Sequence, residues 1–324
     1  MKIHGRLAFA VSILLVASLA DSLLAQGQIP QAQPQHRAQL KVKYASQEAL
    51  GYGVTLATMT NGLTVIVQEN HAAPVATVRS YVRNTGSVYE GRWLGAGLSH
   101  LAEHLISGGT TTKRKEAEIR DIIDSMGGQT NAYTSNNITA YHIDCPASRN
   151  AEAIELIADA MQYTTFEEEE YLREMGVVQR ELEMGEADRD RAGYQAMKQL
   201  IYTEHPMRHP IIGHLSVLQG ITRDDVIAFY KSRYIPQNII FVVVGDVKTD
   251  EVLADVLKNF SNFHRPRDTA PTLVDEPDQA SARSVRMEMP GETTKFAIAW
   301  PTVALQDPDL YPLDVASYLL TNRE

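Results

Sequence analysis

The segment Val54-Thr-Leu-Ala-Thr-Met-Thr60 alternates apolar and polar positions, Asn61-Gly62 follows, and Leu63-Thr-Val-Ile-Val67 resumes the alternation. Period-two alternation on both sides of Asn-Gly predicts a strand, a tight turn and a second strand, because these two residues tolerate the positive φ of the common hairpin turns. Val75 to Val82, rich in β-branched residues, predicts a third strand. At about Ala96 the period changes, and residues 96–106 read as a helix closed by Gly108-Gly109. A second helix, about 114–126, carries Ile119, Ile122, Ile123 and Met126 at helical spacing and stops at Gly127-Gly128. Gln129 to Thr134 and Ile138 to Cys145 then predict two strands, closed by Pro146. From Asn150 to Leu200 the pattern is helical almost throughout, with a break near Tyr163 to Thr165. The run Glu167 to Glu170 reads as a solvated helix start that suits the positive end of the helix dipole. A helix over 222–233, a buried strand Ile239 to Gly245 and a helix over 249–260 complete this part of the chain.

Strands followed by helices and one more strand imply an α+β lobe over about residues 49–262, a mostly antiparallel sheet with helices packed on one face. Residues 263–282 hold three prolines and many charges and read as an interdomain linker. Beyond it, 284–289 and 295–299 read as strands and 309–320 as a helix, so residues 283–324 look like the incomplete start of a second lobe similar to the first. Two strands and a helix cannot bury a lobe-sized core. The expectation is a fragment of a longer chain, or a remainder supplied by another polypeptide.

The amino terminus has a different pattern. Lys2, His4 and Arg6 precede an uncharged, mostly apolar run from Leu7 to Ala20, too short to span a bilayer comfortably. With small residues at Ser18-Leu19-Ala20, residues 1–20 read as a secretory signal cut after Ala20 or, as second choice, after Ala25. The mature protein is expected to be exported, periplasmic or secreted, with no membrane span. Residues 21–48 read as a flexible lead-in, since Gln26 to Glu48 holds seven glutamines, two prolines and few large apolar residues, and order is expected to begin near Tyr52.

Composition changes this picture little. With 324 residues, 44% hydrophobic and 22% charged, the chain is ordinary globular material. A net charge of −10 argues against nucleic acid as a partner, since phosphate binding needs clustered Lys and Arg. Cys145 is the only cysteine, which excludes an intramolecular disulfide or a thiolate cluster within the chain; at the end of an apolar strand it reads as a buried inert thiol.

The chemistry concentrates in His100-Leu101-Ala102-Glu103-His104, between glycines. On a helix, His100 and His104 are one turn apart and separated by about 40°, so both imidazoles reach one ion from one face, with Glu103 near enough to touch a water there. This is the inverted zinc-peptidase pattern. The same run also reads as two surface histidines solvated by a carboxylate, and a third ligand decides between them. Further along, Glu174 and Glu181 are seven apart on a predicted helix and share a face.

His-x-x-Glu-His with Glu181 77 positions after His104, and Glu174 seven before that, resembles the pitrilysin/insulinase family of zinc peptidases. Asn131-Ala132-Tyr133-Thr134 with Thr139-Ala140-Tyr141, His205-Pro206 through Gly213, Tyr234-Ile-Pro-Gln-Asn238 and Val242-Val-Val-Gly-Asp246 are similar to later landmarks of that family, in order. The resemblance implies one Zn2+ per chain held by His100, His104 and Glu181, Glu103 as catalytic base, and Glu174 as a supporting carboxylate. It also implies that Asn131, Ala132, Tyr133 and Thr134 form a substrate-side edge strand, and that the reaction is hydrolysis of peptides or unfolded polypeptides. The chain departs from the family at Leu101-Ala102 and Leu105-Ile-Ser-Gly-Gly109, and above all in lacking most of a second lobe. A second lobe or subunit, in a homo- or hetero-oligomer, is therefore an expected partner. The alternative is a non-catalytic or partner-dependent scaffold subunit of the same family. Elsewhere, His205 and His209 are four apart but flanked by Pro206 and Pro210, Gly95-Ala-Gly97 lacks the third glycine of a dinucleotide loop, and there is no Gly-x-Ser-x-Gly.

Overall fold

A computed structural model describes residues 42–321; the expected signal segment over 1–20 and most of the lead-in lie outside the described residues. Seven strands, β1 (Tyr44–Gly51), β2 (Val54–Met59), β3 (Thr64–Glu69), β4 (Val75–Arg83), β5 (Gln129–Thr134), β6 (Ile138–Pro146) and β7 (Ile239–Gly245), make one sheet in the order β1-β2-β3-β7-β4-β6-β5. Every neighbouring pair is antiparallel except β3 with β7. The β2–β3 turn is the expected Asn61-Gly62, with Gly62 at φ +94° and the Asn61 side chain accepting from the Leu63 amide. The β7 run, between β3 and β4, is apolar at every position before its glycine, but only Ile239, Phe241 and Val243 are buried; Ile240, Val242 and Val244 are half-buried on the other face.

The helices are α1 (Leu98–Ile106), α2 (Glu116–Ser125), α3 (Asn150–Tyr163), α4 (Glu168–Ala187), α5 (Arg189–Ile201), α6 (Leu215–Leu218), α7 (Arg223–Arg233), α8 (Thr249–Phe260) and α9 (Leu310–Thr321). One face of the sheet, carrying Val65, Val67, Val78, Val82, Tyr141, Ile143, Phe241 and Val243, is buried beneath them. There α3 packs on β4, β6 and α8, while α1 packs on β5 and β6 and against α4 and α7. The α+β architecture is the expected one, with helices on one face of a mostly antiparallel sheet. No helix among the described residues is long and apolar enough to cross a membrane.

Four details differ from the sequence reading. Order begins before Tyr52, because Tyr44–Gly51 pairs along β2 as an edge strand. Its positions after Tyr44 are exposed, so no apolar alternation marked it; backbone pairing alone makes it a strand. The long helical stretch breaks a second time, at Asp188, whose carboxylate caps α5 by accepting from the amides of Asp190 and Arg191. The strands expected over 284–289 and 295–299 do not form: these residues pair with no described strand and leave Val285, Met287, Phe296 and Ile298 exposed. An alternating pattern needs a partner edge before it becomes a ladder. Finally, the segment read as a linker is strapped onto the helices that cover the sheet. Arg265 donates to the carbonyls of Tyr230, Tyr234 and Gln162 and stacks on Tyr230. Glu276 accepts from the amides of Thr203, Glu204 and His205 and from the Thr203 hydroxyl.

Candidate metal centre

The chain enters α1 through Gly95 and Gly97, at φ +83° and +70°. A Cβ on Gly97 would lie 2.0 Å from the Ile212 carbonyl oxygen, so only glycine allows this approach and this conformation together. Leu98, Leu101, Ala102, Leu105 and Ile106 are buried in the core. That arrangement turns His100 and His104 toward α4, with ring centroids 4.7 Å apart.

Across from them, Glu181 places Oε2 3.8 Å from His100 Nε2 and 3.7 Å from His104 Nε2. One donor atom from each of the three residues lies within 4.8 Å of the other two. Among the described residues this is the one such group. His104 Nδ1 is 3.2 Å from Glu174 Oε2; a proton held at Nδ1 leaves a lone pair on Nε2, the nitrogen that faces Glu181, free for a metal. Burial, and then the charge of neighbouring His104, push His100 down to about 4, so its imidazole is neutral and able to ligate. Two imidazoles and a carboxylate are a donor set that suits zinc. Glu181 is 41% exposed, which keeps one side of the cluster open to solvent.

Glu103 lies on the buried side of α1, and its Oε2 accepts from the Thr134 hydroxyl at 2.7 Å. Burial raises its carboxyl above the ordinary range, while the Thr134 hydrogen bond pulls the other way. Of the four edge-strand residues singled out in the sequence, Thr134 thus reaches the carboxylate beside the histidines. Ala132 shares its face of β5, and Asn131 and Tyr133 alternate to the other. Strand β5 is a sheet edge, and the Asn131 side chain accepts from the Ala132 amide at 2.8 Å, covering one edge donor.

The glutamate run at the start of α4 is not wholly solvated. Glu170 is buried and accepts from the Thr110 amide at 3.1 Å and the Thr110 hydroxyl at 2.5 Å, tying α4 to the exit of α1. The sequence reading missed it because Glu170 sits among glutamates that do face solvent. His205 and His209 are not brought together: His205 accepts from the Met207 amide, and His209 Nδ1 faces His214 Nε2 at 3.1 Å. Cys145 is buried, as expected, and burial pushes its thiol up.

Two imidazoles and a carboxylate from packed helices, with a further carboxylate alongside, are a donor set found in catalytic zinc sites. Residues 64–214 match the family model described as Insulinase (Peptidase family M16), and residues 220–324 match that of the Peptidase M16 inactive domain. The chain belongs to peptidase family M16. It is 31% identical over 270 residues to the "Probable mitochondrial-processing peptidase subunit beta, mitochondrial" of Arabidopsis thaliana, covering 81% of this chain and 49% of that protein. It is 30% identical to the zinc protease PqqE of Helicobacter pylori, covering 81% of this chain and 60% of that one. Among solved structures, a protease from Helicobacter pylori superposes with a TM-score of 0.64 at 30% identity, covering 68% of this chain and 54% of that chain. The chain spans about half the length of the curated relatives it matches.

Proposed function

We propose that this chain carries the zinc site of an exported endopeptidase that hydrolyses extended peptides or unfolded polypeptides. The observation that carries the reading is the convergence of His100, His104 and Glu181 from α1 and α4, with Glu103 on the same short helix. His100, His104 and Glu181 would hold the ion, and Glu174 would keep His104 in the ligating tautomer. Zinc, when bound, supplies Lewis-acid polarisation of a peptide carbonyl and acidifies a water. Glu103 accepts a proton from the attacking water and passes it to the leaving amine nitrogen. The Thr134 hydroxyl, donating to Oε2, holds the carboxylate in place beside the histidines. A substrate strand would add to the free edge of β5, displacing the Asn131 side chain from the Ala132 amide. Export rests on the basic-then-apolar pattern of residues 1–20.

A partner-dependent form of the same activity is favoured by a separate observation. Phe296, Ile298, Trp300, Tyr311, Val315 and Leu319 are all exposed in one stretch of chain. We infer that a second lobe or subunit covers them before the site works on substrate. The decisive test uses Glu103→Gln, assayed with any covering lobe or subunit present. Wild type should hold one zinc per chain and cleave an unfolded polypeptide; the variant should keep the zinc and lose cleavage. Cleavage that survives the substitution removes Glu103 from the reaction, and natively folded protein without zinc favours a scaffold.

A further inference from the structure

Helix α1 starts behind Gly97 with no side-chain cap of its own and no acidic residue in its first turn. Its leading amides need acceptors, as those of every helix do. The carboxylate of Glu90 provides them from upstream. Oε2 accepts from the Gly97 amide at 3.2 Å, and Oε1 accepts from the Ser99 amide at 2.9 Å and the Ser99 hydroxyl at 2.7 Å. Glu90 is 1% exposed, and burial pushes its carboxyl up to about 7 against the pull of these hydrogen bonds.

A buried carboxylate is a costly way to end a helix when a Ser or Asp at the cap position would suffice. Its position suggests what it is for. Ser99 immediately precedes His100. His104 has its ring oriented by Glu174, but His100 Nδ1 is buried with no hydrogen-bond partner among the described residues. Nothing hydrogen-bonded to that second ring nitrogen sets where His100 points, so its placement depends on the backbone that carries it. Glu90 holds that backbone on both sides of Leu98.

We propose that Glu90 is a positioning residue for the metal centre, fixing His100 through the Gly97–Ser99 turn as Glu174 fixes His104 through its ring. The proposal rests on the metal-site reading above, and the experiment separates the two. Zinc affinity of the full chain is measured by competition with a chromophoric chelator, and the visible spectrum of the cobalt-loaded protein reports the coordination geometry. Glu90→Gln replaces one acceptor oxygen by an NH2 that faces donors, and it should weaken zinc about 10- to 100-fold, the usual cost of losing an outer support, and shift the cobalt bands. Ser99→Ala keeps both amide contacts and should weaken zinc about threefold, near the lower end of one hydrogen bond's net worth. A purely structural cap would lower the melting temperature of either variant while its folded fraction kept wild-type zinc affinity and an unchanged cobalt spectrum; that result overturns the proposal. If Glu90→Gln does not fold, Ser99→Ala decides alone, by the same criterion. Wild-type chain that takes up no zinc overturns both readings, whereas wild-type binding with unchanged variants overturns this one only.

Discussion

Behind the site, the hydroxyls of Tyr141 on β6 and Tyr234 after α7 meet at 2.7 Å inside the core. Both side chains are buried, and burial raises both phenols well above their ordinary range. Their environments are unequal. The Thr139 side chain also lies where it can hydrogen-bond the Tyr234 hydroxyl, whereas Tyr234 is the one hydrogen-bond partner of Tyr141 among the described residues. Tyr141→Phe therefore leaves Tyr234 with an alternative partner and should cost about 1 kcal/mol, the net worth of one hydrogen bond. Tyr234→Phe strands a buried donor on Tyr141 and should cost about 2 kcal/mol, within the penalty for an unsatisfied buried group. The double variant strands only Thr139, which has other partners, so it should cost about 1.5 kcal/mol and not the sum, a coupling of about 1.5 kcal/mol, typical of residues in contact. Urea denaturation of wild type, both single variants and the double variant gives the cycle, read from midpoints at a common m value. Additivity within about 0.3 kcal/mol, or Tyr141→Phe as the costlier change, would refute the reasoning.

Glu174→Gln removes the charge facing His104 Nδ1 and should weaken zinc about 10- to 100-fold in chelator competition, with the fold retained by circular dichroism. Gly97→Ala must hold a left-handed conformation and clear the Ile212 carbonyl; the conformation alone costs about 1–3 kcal/mol, so a lower melting temperature with substoichiometric zinc is expected. The Glu276 strap should be acid-sensitive. Desolvation alone would raise this carboxyl, but the amides of His205, Glu204 and Thr203 bring it down to about 2 from an ordinary 4.5. A folded-state value below the unfolded one gives stability that is complete above about 4.5 and lost as pH falls toward about 2. Amide exchange at Thr203, Glu204 and His205 should lose protection across that window, and in Glu276→Gln already at neutral pH.

What was legible in the sequence were the features set by neighbours a few residues apart. The Asn61-Gly62 hairpin, the glycine stop after α1, the uniformly apolar β7 and the common face of His100 and His104 all follow from local periodicity and turn chemistry. The family resemblance added Glu181, seventy-seven positions beyond His104, and family membership was confirmed by the matches over residues 64–214 and 220–324.

Tertiary structure decided the rest. Only strand pairing makes Tyr44–Gly51 a strand and leaves 284–289 outside the sheet, since the former finds the edge of β2 and the latter finds none. Only the packing of α1 on α4 brings Glu181 within reach of both histidines and separates Glu170 from the solvated glutamates around it, and only the packing of α1 on β5 sets Thr134 against Glu103. The physical reason is the range of the forces that choose. Periodicity and capping act over a turn or two of chain. The placement of a carboxylate against an imidazole seventy residues away depends on how every buried side chain between the two helices fits.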